Sequence, residues 1–235
     1  MRKIVLLVAM LIGVRAAHAQ DDKAICNHIN QLNTAVLNGS IKRPDAAKQF
    51  KLLIRQLTQN RHVPEALDNW AFPLRGYNYH AIGGNGSGYS DKGYNYLDGN
   101  KHAAHPAHDI FINDKNQDCI DDKTGKTVDV VAVDYGIVIA CSDTWQTNSS
   151  LRGGKYIWIY DNYGDITYYA HNNNIFVKPG DEIKAGQKIA EVGRTGYNAY
   201  KKRSPTHLHF SAFKLVNDLP VPFNPYQQLK KAKTL

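Results

Sequence analysis

The sequence predicts a mainly β fold, an antiparallel β-sheet domain preceded by a small α-helical hairpin. Three observations carry this. Apolar residues between positions 25 and 57 recur every three or four residues. Residues 75–104, rich in Gly, Tyr and Asn, then read as a long ordered loop, and from there to residue 213 short β-rich runs alternate with turn signals. At 43% apolar and 21% charged residues the composition excludes disorder and collagen-like repeats, and 235 residues can bury a full core without a metal or disulfide staple.

The elements follow in chain order. Arg2 and Lys3, the apolar run from Ile4 to Val14 and the small-residue site Ala17-His18-Ala19 have the order of an export leader, so residues 1–19 are expected to be cleaved as a signal peptide. The run is too short to span a bilayer, and no Cys at the cleavage site invites a lipid, so no membrane anchor is expected afterwards. Residues 20–69 form the helical segment. Ile25, Ile29, Leu32 and Val36 lie on one helix that stops at Asn38-Gly39, and Phe50, Leu53, Ile54 and Leu57 lie on a second that follows Pro44-Asp45. Residues 70–235 form the sheet domain. Its strands are expected at 128–133, 136–140, 155–160, 165–170, 188–192 and 207–213, with an irregular end marked by Pro220, Pro222 and Pro225.

Loss of Arg2, Lys3 and Arg15 with the leader lowers the net charge from +8 to +5. That surplus suits anionic wall polymers, while the mixed placement of charge gives no nucleic-acid recognition element. Of the three cysteines, Cys119 and Cys141 share the sheet domain and are expected to pair, leaving Cys26 over. Asp114, Asn116 and Asp118 alternate as in a calcium loop, but the Gly and terminal Glu of such a loop are missing.

The histidines carry the chemistry. Of ten, His102, His105 and His108 precede Asp109, and His207 and His209 flank Leu208 in an alternating run. On a strand, His207 and His209 project from one face, so one can bind a metal while the other serves water or substrate. Pro106 disfavours helix at His105, and Asp109 opens the β-like Asp109-Ile110-Phe111-Ile112, which lets an imidazole and a carboxylate reach one point. Two His and one Asp make an open zinc site, with a fourth position left for water.

These residues resemble a known family. His105-Pro106-Ala107-His108-Asp109, Tyr169-Ala170-His171 and His207-Leu208-His209-Phe210 look like the three ordered motifs of the LytM/lysostaphin-type zinc metallopeptidases, which cut peptidoglycan peptides. The stretch from Val177 to Gly193 resembles that family's lipoyl-like hairpin. The resemblance covers roughly residues 70 to 226 and implies one zinc ion held by His105, Asp109 and His209. It also implies that His171 and His207 line the attacking water and the scissile carbonyl as catalytic residues. The expected protein is an exported, monomeric zinc metalloendopeptidase of the periplasm or cell wall, with peptidoglycan peptides as substrate. Departures from the family pattern lie in Asn113–Thr127 and Tyr197–Ser204, which are expected to border the cleft. Tyr94 and Tyr96 either pack their loop or lend a hydroxyl to the site. Two other readings stand beside this one: a non-hydrolytic wall regulator of the same fold, and a carrier module suggested by the hairpin but lacking the context of a modified Lys.

Overall fold

The computed structural model describes residues 21–60, 69–101 and 103–235; the expected leader and His102 lie outside them. Residues 21–38 form helix α1, and Arg43–Asn60 forms α2. Three short 3₁₀ turns at 79–81, 83–86 and 96–101 order the Gly- and Tyr-rich loop.

Ten strands follow: β1 (His108–Phe111), β2 (Asp129–Val131), β3 (Gly136–Ser142), β4 (Tyr156–Asp161), β5 (Asp165–Ala170), β6 (Asn172–Ile175), β7 (Glu182–Ile183), β8 (Lys188–Val192), β9 (His207–Val216) and β10 (Leu219–Phe223). A short helix, α3, closes the chain at Tyr226–Lys231. The larger sheet has the order β1-β9-β5-β4-β3-β7, and β2-β8-β6 form a second sheet. Every strand pairing is antiparallel.

The C-terminal end is more regular than the three prolines suggest. β1 pairs with the first half of β9 and β10 with its second half, so both lie along one edge of that strand. Pro220 and Pro222 are tolerated because an edge strand has one side with no ladder bonds to donate.

Alternation along the strands gives the larger sheet two buried faces. Val138, Ile157, Ile159, Tyr169, Leu208 and Phe210 face the second sheet. Ile137, Ile139, Tyr156, Trp158, Ile166 and Phe213 face the helices, where they meet Ile25, Ile29, Leu32, Val36, Phe50, Ile54 and Leu57. Trp158 stacks on Phe213 with centroids 5.0 Å apart. Tyr96 packs edge-on to Trp158, and Tyr94 packs against Phe213. Both tyrosines therefore pack on the helix side of the sheet, the face that also carries His209.

The expected Cys119–Cys141 bridge is absent, and Cys26 is not bridged either. Cys119 lies in a loop tied to Thr206, just before β9, through Asp114. Cys141 lies on β3, where its thiol donates to the Val177 carbonyl at 3.6 Å. Three strand spacings of about 4.8 Å separate β9 from β3, too far for the reach of about 7 Å that a disulfide allows.

Candidate metal centre

Strand register assembles the centre. Asp109 of β1 lies directly across from His209 of β9, and Ala170 of β5 flanks His209 on the other side. Two residues along β9, His207 projects from the same face. His171 follows Ala170 immediately, its φ of 67° swinging the imidazole back over the sheet. His105 arrives from the loop, fixed by reciprocal backbone bonds with Ser90 at 2.8 and 2.9 Å. His108 alternates to the opposite face, where it is buried and its Nε2 meets Asn224 Oδ1 at 2.9 Å. The structure thus brings together all five residues picked from the sequence and sets the adjacent histidine apart.

Asp109 Oδ1 lies 3.2 Å from His105 Nε2, 3.2 Å from His209 Nδ1 and 3.6 Å from His207 Nε2. His171 sits 4.9 Å from His207 and 5.4 Å from His209, centroid to centroid. Backbone carbonyls orient three of the rings: His105 Nδ1 meets Gly88 O at 3.0 Å, His171 Nδ1 meets Thr195 O at 2.8 Å, and His207 Nδ1 meets Pro205 O at 2.7 Å. Each carbonyl is placed to accept a proton on Nδ1, and at His105 and His207 the Nε2 atom faces Asp109. Those carbonyls have no side-chain signature, which is why the sequence does not reveal them.

Electrostatics favour the neutral ring at His209 and His171 and the charged form at Asp109 and His105. Burial would raise the Asp109 pKa, but hydrogen bonds from His105 and His209 outweigh it and hold the carboxyl well below its usual range. Its hydrogen bond to Asp109 raises the His105 pKa. Burial lowers that of His209, and burial together with His207 and His209 lowers that of His171 further. Neutral imidazole is the form that binds a metal or accepts a proton.

Ligand atoms of His105, Asp109 and His209 all lie within 4.8 Å of one another, the one such group among the described residues. Two imidazole nitrogens and a carboxylate oxygen at this spacing fit a tetrahedral divalent ion with one position left over. The Asp114 loop does not come together in this way. Its carboxylate accepts from the Asp118 and Cys119 amides and from Thr206 Oγ1 at 2.6 Å, which stitches the loop to the base of β9.

Sequence comparison points to one family. Residues 115–223 match Peptidase family M23, a span that includes His171, His207 and His209 and begins beyond Asp109. The murein hydrolase activator NlpD of Escherichia coli is 38% identical over 88 residues, covering 36% of this chain and 22% of that protein. An uncharacterized metalloprotease of Buchnera aphidicola is 39% identical over 64 residues, covering 27% of this chain and 16% of its own length. The chain thus spans about a fifth, or less, of the length of these relatives. Among solved structures, the catalytic domain of lysostaphin from Staphylococcus simulans is 28% identical, with 57% of this chain and 81% of that one covered and a TM-score of 0.39. A putative glycyl-glycine endopeptidase lytM from Ruminococcus gnavus is 23% identical, with 79% and 72% covered and a TM-score of 0.48. Residues 115–223 of the chain are thus similar to Peptidase family M23.

Proposed function

We propose that the protein is an exported zinc peptidase that hydrolyses peptide bonds in peptidoglycan, with His105, Asp109 and His209 holding the ion and His171 and His207 performing proton transfer. The observation that carries this reading is the convergence of three ligand atoms and two oriented imidazoles on one face of β1, β9 and β5. Bound there, zinc supplies the Lewis acid that polarises a peptide carbonyl and brings the pKa of water toward neutrality. His207 presents its Nε2 beside Asp109, while burial keeps His171 neutral and able to accept a proton. One of the two takes a proton from the attacking water; the other steadies the carbonyl oxygen and returns a proton to the leaving amine. Peptidoglycan as substrate is supported by the murein-directed name of a relative.

That name also favours a second reading, a domain that regulates other wall enzymes without cutting. The filled ligand set and both proton-transfer histidines favour hydrolysis over it. Purified peptidoglycan digested with the zinc-loaded protein separates the two: new amine termini that disappear on chelation and return with about one equivalent of zinc are expected. Cleavage that persists in demonstrably metal-free protein overturns the zinc assignment. Intact peptidoglycan, together with stimulation of a separate murein hydrolase, establishes the regulator.

A further inference from the structure

Two loops that the proton-transfer chemistry leaves unused meet beside His171. Residues 143–152 lead up to Gly153, whose carbonyl accepts from the His171 amide at 3.0 Å. Residues 195–204 begin with Thr195, whose carbonyl meets His171 Nδ1 at 2.8 Å. The Tyr197 amide joins the loops by donating to Leu151 O at 3.0 Å, and the second loop turns where the Tyr200 amide reaches Gly196 O at 3.2 Å. A Cβ on Gly196 would sit 2.8 Å from His171 Nδ1, so Tyr200 lies one turn of chain from that ring.

Three aromatic side chains stand on these loops. Trp145 packs on Tyr200 with centroids 5.5 Å apart and planes tilted by 53°. Tyr197 is 46% and Tyr200 38% exposed. A single exposed ring is ordinary, whereas neighbouring rings rimmed by polar groups mark an interaction site. The rim here is braced: Lys201 Nζ lies 4.1 Å from the Tyr197 centroid and donates to Asn198 Oδ1 at 3.3 Å, and Arg203 Nη2 donates to the same oxygen at 3.2 Å. Trp145 Nε1 is covered yet has no acceptor among the described residues. A covered N–H without an acceptor is unfavourable, and a ligand carbonyl reached by a small tilt of the ring would relieve it.

This combination selects a ligand. Neither loop contains a strand, so no ladder edge is offered there to an extended peptide. The C–H face of a pyranose is apolar and faintly positive and stacks on the negative face of an aromatic ring, while an acetamide at its edge supplies a carbonyl for a nearby donor. We propose that Trp145, Tyr197 and Tyr200 form a subsite for N-acetylated sugars, which seats the glycan strand that carries the substrate peptide. This rests on the peptidoglycan reading above and extends it from the peptide to the sugar. Peptidoglycan peptides branch from such strands and each residue spans at most about 3.6 Å, so a bond held at His171 brings the strand within a few residues' reach of Tyr200.

The test uses a linear tetramer of N-acetylglucosamine, which carries no peptide, and cellotetraose, which lacks the acetamide. Binding to the full chain is followed by calorimetry and by the NMR signal of the Trp145 indole N–H. The acetylated tetramer is expected to shift that signal and to bind Tyr200→Ala about tenfold less tightly, since this variant loses an exposed stacking ring. Trp145→Phe keeps a ring but not the donor, and is expected to lose about threefold in affinity for the acetylated tetramer and little for cellotetraose. A tetramer that does not bind, or that binds Tyr200→Ala as tightly as the parent, overturns the proposal. Hydrolysis by the zinc-loaded protein is followed in parallel, where Tyr200→Ala is expected to raise KM for intact peptidoglycan about tenfold and to cleave free stem peptide at the parent rate. Slower cleavage of free peptide with no sugar binding makes the rim a peptide contact and overturns the sugar site alone. Sugar binding without cleavage of either substrate sinks the hydrolytic reading and leaves the sugar site standing.

Discussion

Asp109 shares one carboxylate oxygen among three imidazoles, yet the proposed roles of those rings differ by two residues of one strand. Loss of activity alone cannot tell His207 from His209, but metal content can. His209→Ala is expected to lose zinc and turnover together, since two remaining ligands hold the ion weakly. His207→Ala is expected to keep zinc while turnover falls about a hundred- to ten-thousand-fold, and His171→Ala to behave likewise. Elemental analysis beside hydrolysis rates decides it, and a metal-free His207→Ala beside a zinc-loaded, active His209→Ala reverses the roles. At Gly196 the constraint is backbone. Its φ of 118° and its approach to Arg152 and His171 leave no room for a methyl group. Gly196→Ala is therefore expected to displace the His171 ring and cut turnover at least about tenfold, at a cost of roughly 1–3 kcal/mol in stability by denaturant titration.

Two long connections frame β9 as one unit. Gln117 Nε2 donates to the Lys202 and Ser204 carbonyls, Asp114 accepts from Thr206, and Arg194 Nη1 reaches Ser204 O at 2.7 Å and Thr206 Oγ1 at 3.3 Å. Thr206 precedes His207, so this stitching sets where β9 delivers its imidazole. Arg194→Gln is expected to lower kcat/KM about 10- to 100-fold with zinc content unchanged, because a misplacement of about 1 Å at a reacting group is that costly; unaltered kinetics would mean that Asp114 and Gln117 suffice. Legibility also divides at this scale. The two helices and β1, β3, β4, β5, β8 and β9 follow from apolar spacing that a core imposes, and the site residues from motifs that place side chains at fixed steps on strands. β6, Asn172–Ile175, and β7, Glu182–Ile183, are too short and polar to show a period, and β10 hides behind prolines that only its edge position permits. The Cys119–Cys141 pairing failed because sequence separation says nothing of the two strands, β5 and β4, that lie between β9 and β3.

Stability of the whole molecule should depend on pH through a buried acid far along β4. Asp161 is 3% exposed, and burial pushes its pKa up to about 7, with Asp165 and Asp134 adding repulsion. A carboxyl whose folded pKa exceeds its unfolded value stabilises the fold fully below about pH 4, and that contribution is lost as pH rises through about 7. Asp161→Asn keeps the Oδ1 that accepts from the Tyr163 and Asp165 amides, both at 2.9 Å. It is expected to raise stability at pH 8 by on the order of 2–4 kcal/mol and to flatten the decline between pH 4 and 8 in urea titrations; an unchanged pH profile would place the charge elsewhere. The same global argument decides what the helical hairpin is. As a removable pro-segment it would cover a polar cleft, but here Phe50, Ile54, Leu57, Ile29 and Leu32 are buried with Ile137, Ile139, Trp158 and Phe213 in one continuous apolar cluster. Removing the hairpin would bare that face of the sheet to water, and the marginal stability of a domain cannot absorb such a loss. Phe50→Ala is accordingly expected to cost about 3–5 kcal/mol without raising hydrolysis at a temperature where the variant stays folded. Deletion of residues 21–60 should give a chain that binds a hydrophobic dye and aggregates; a soluble truncated protein with higher activity would instead make the hairpin an inhibitor.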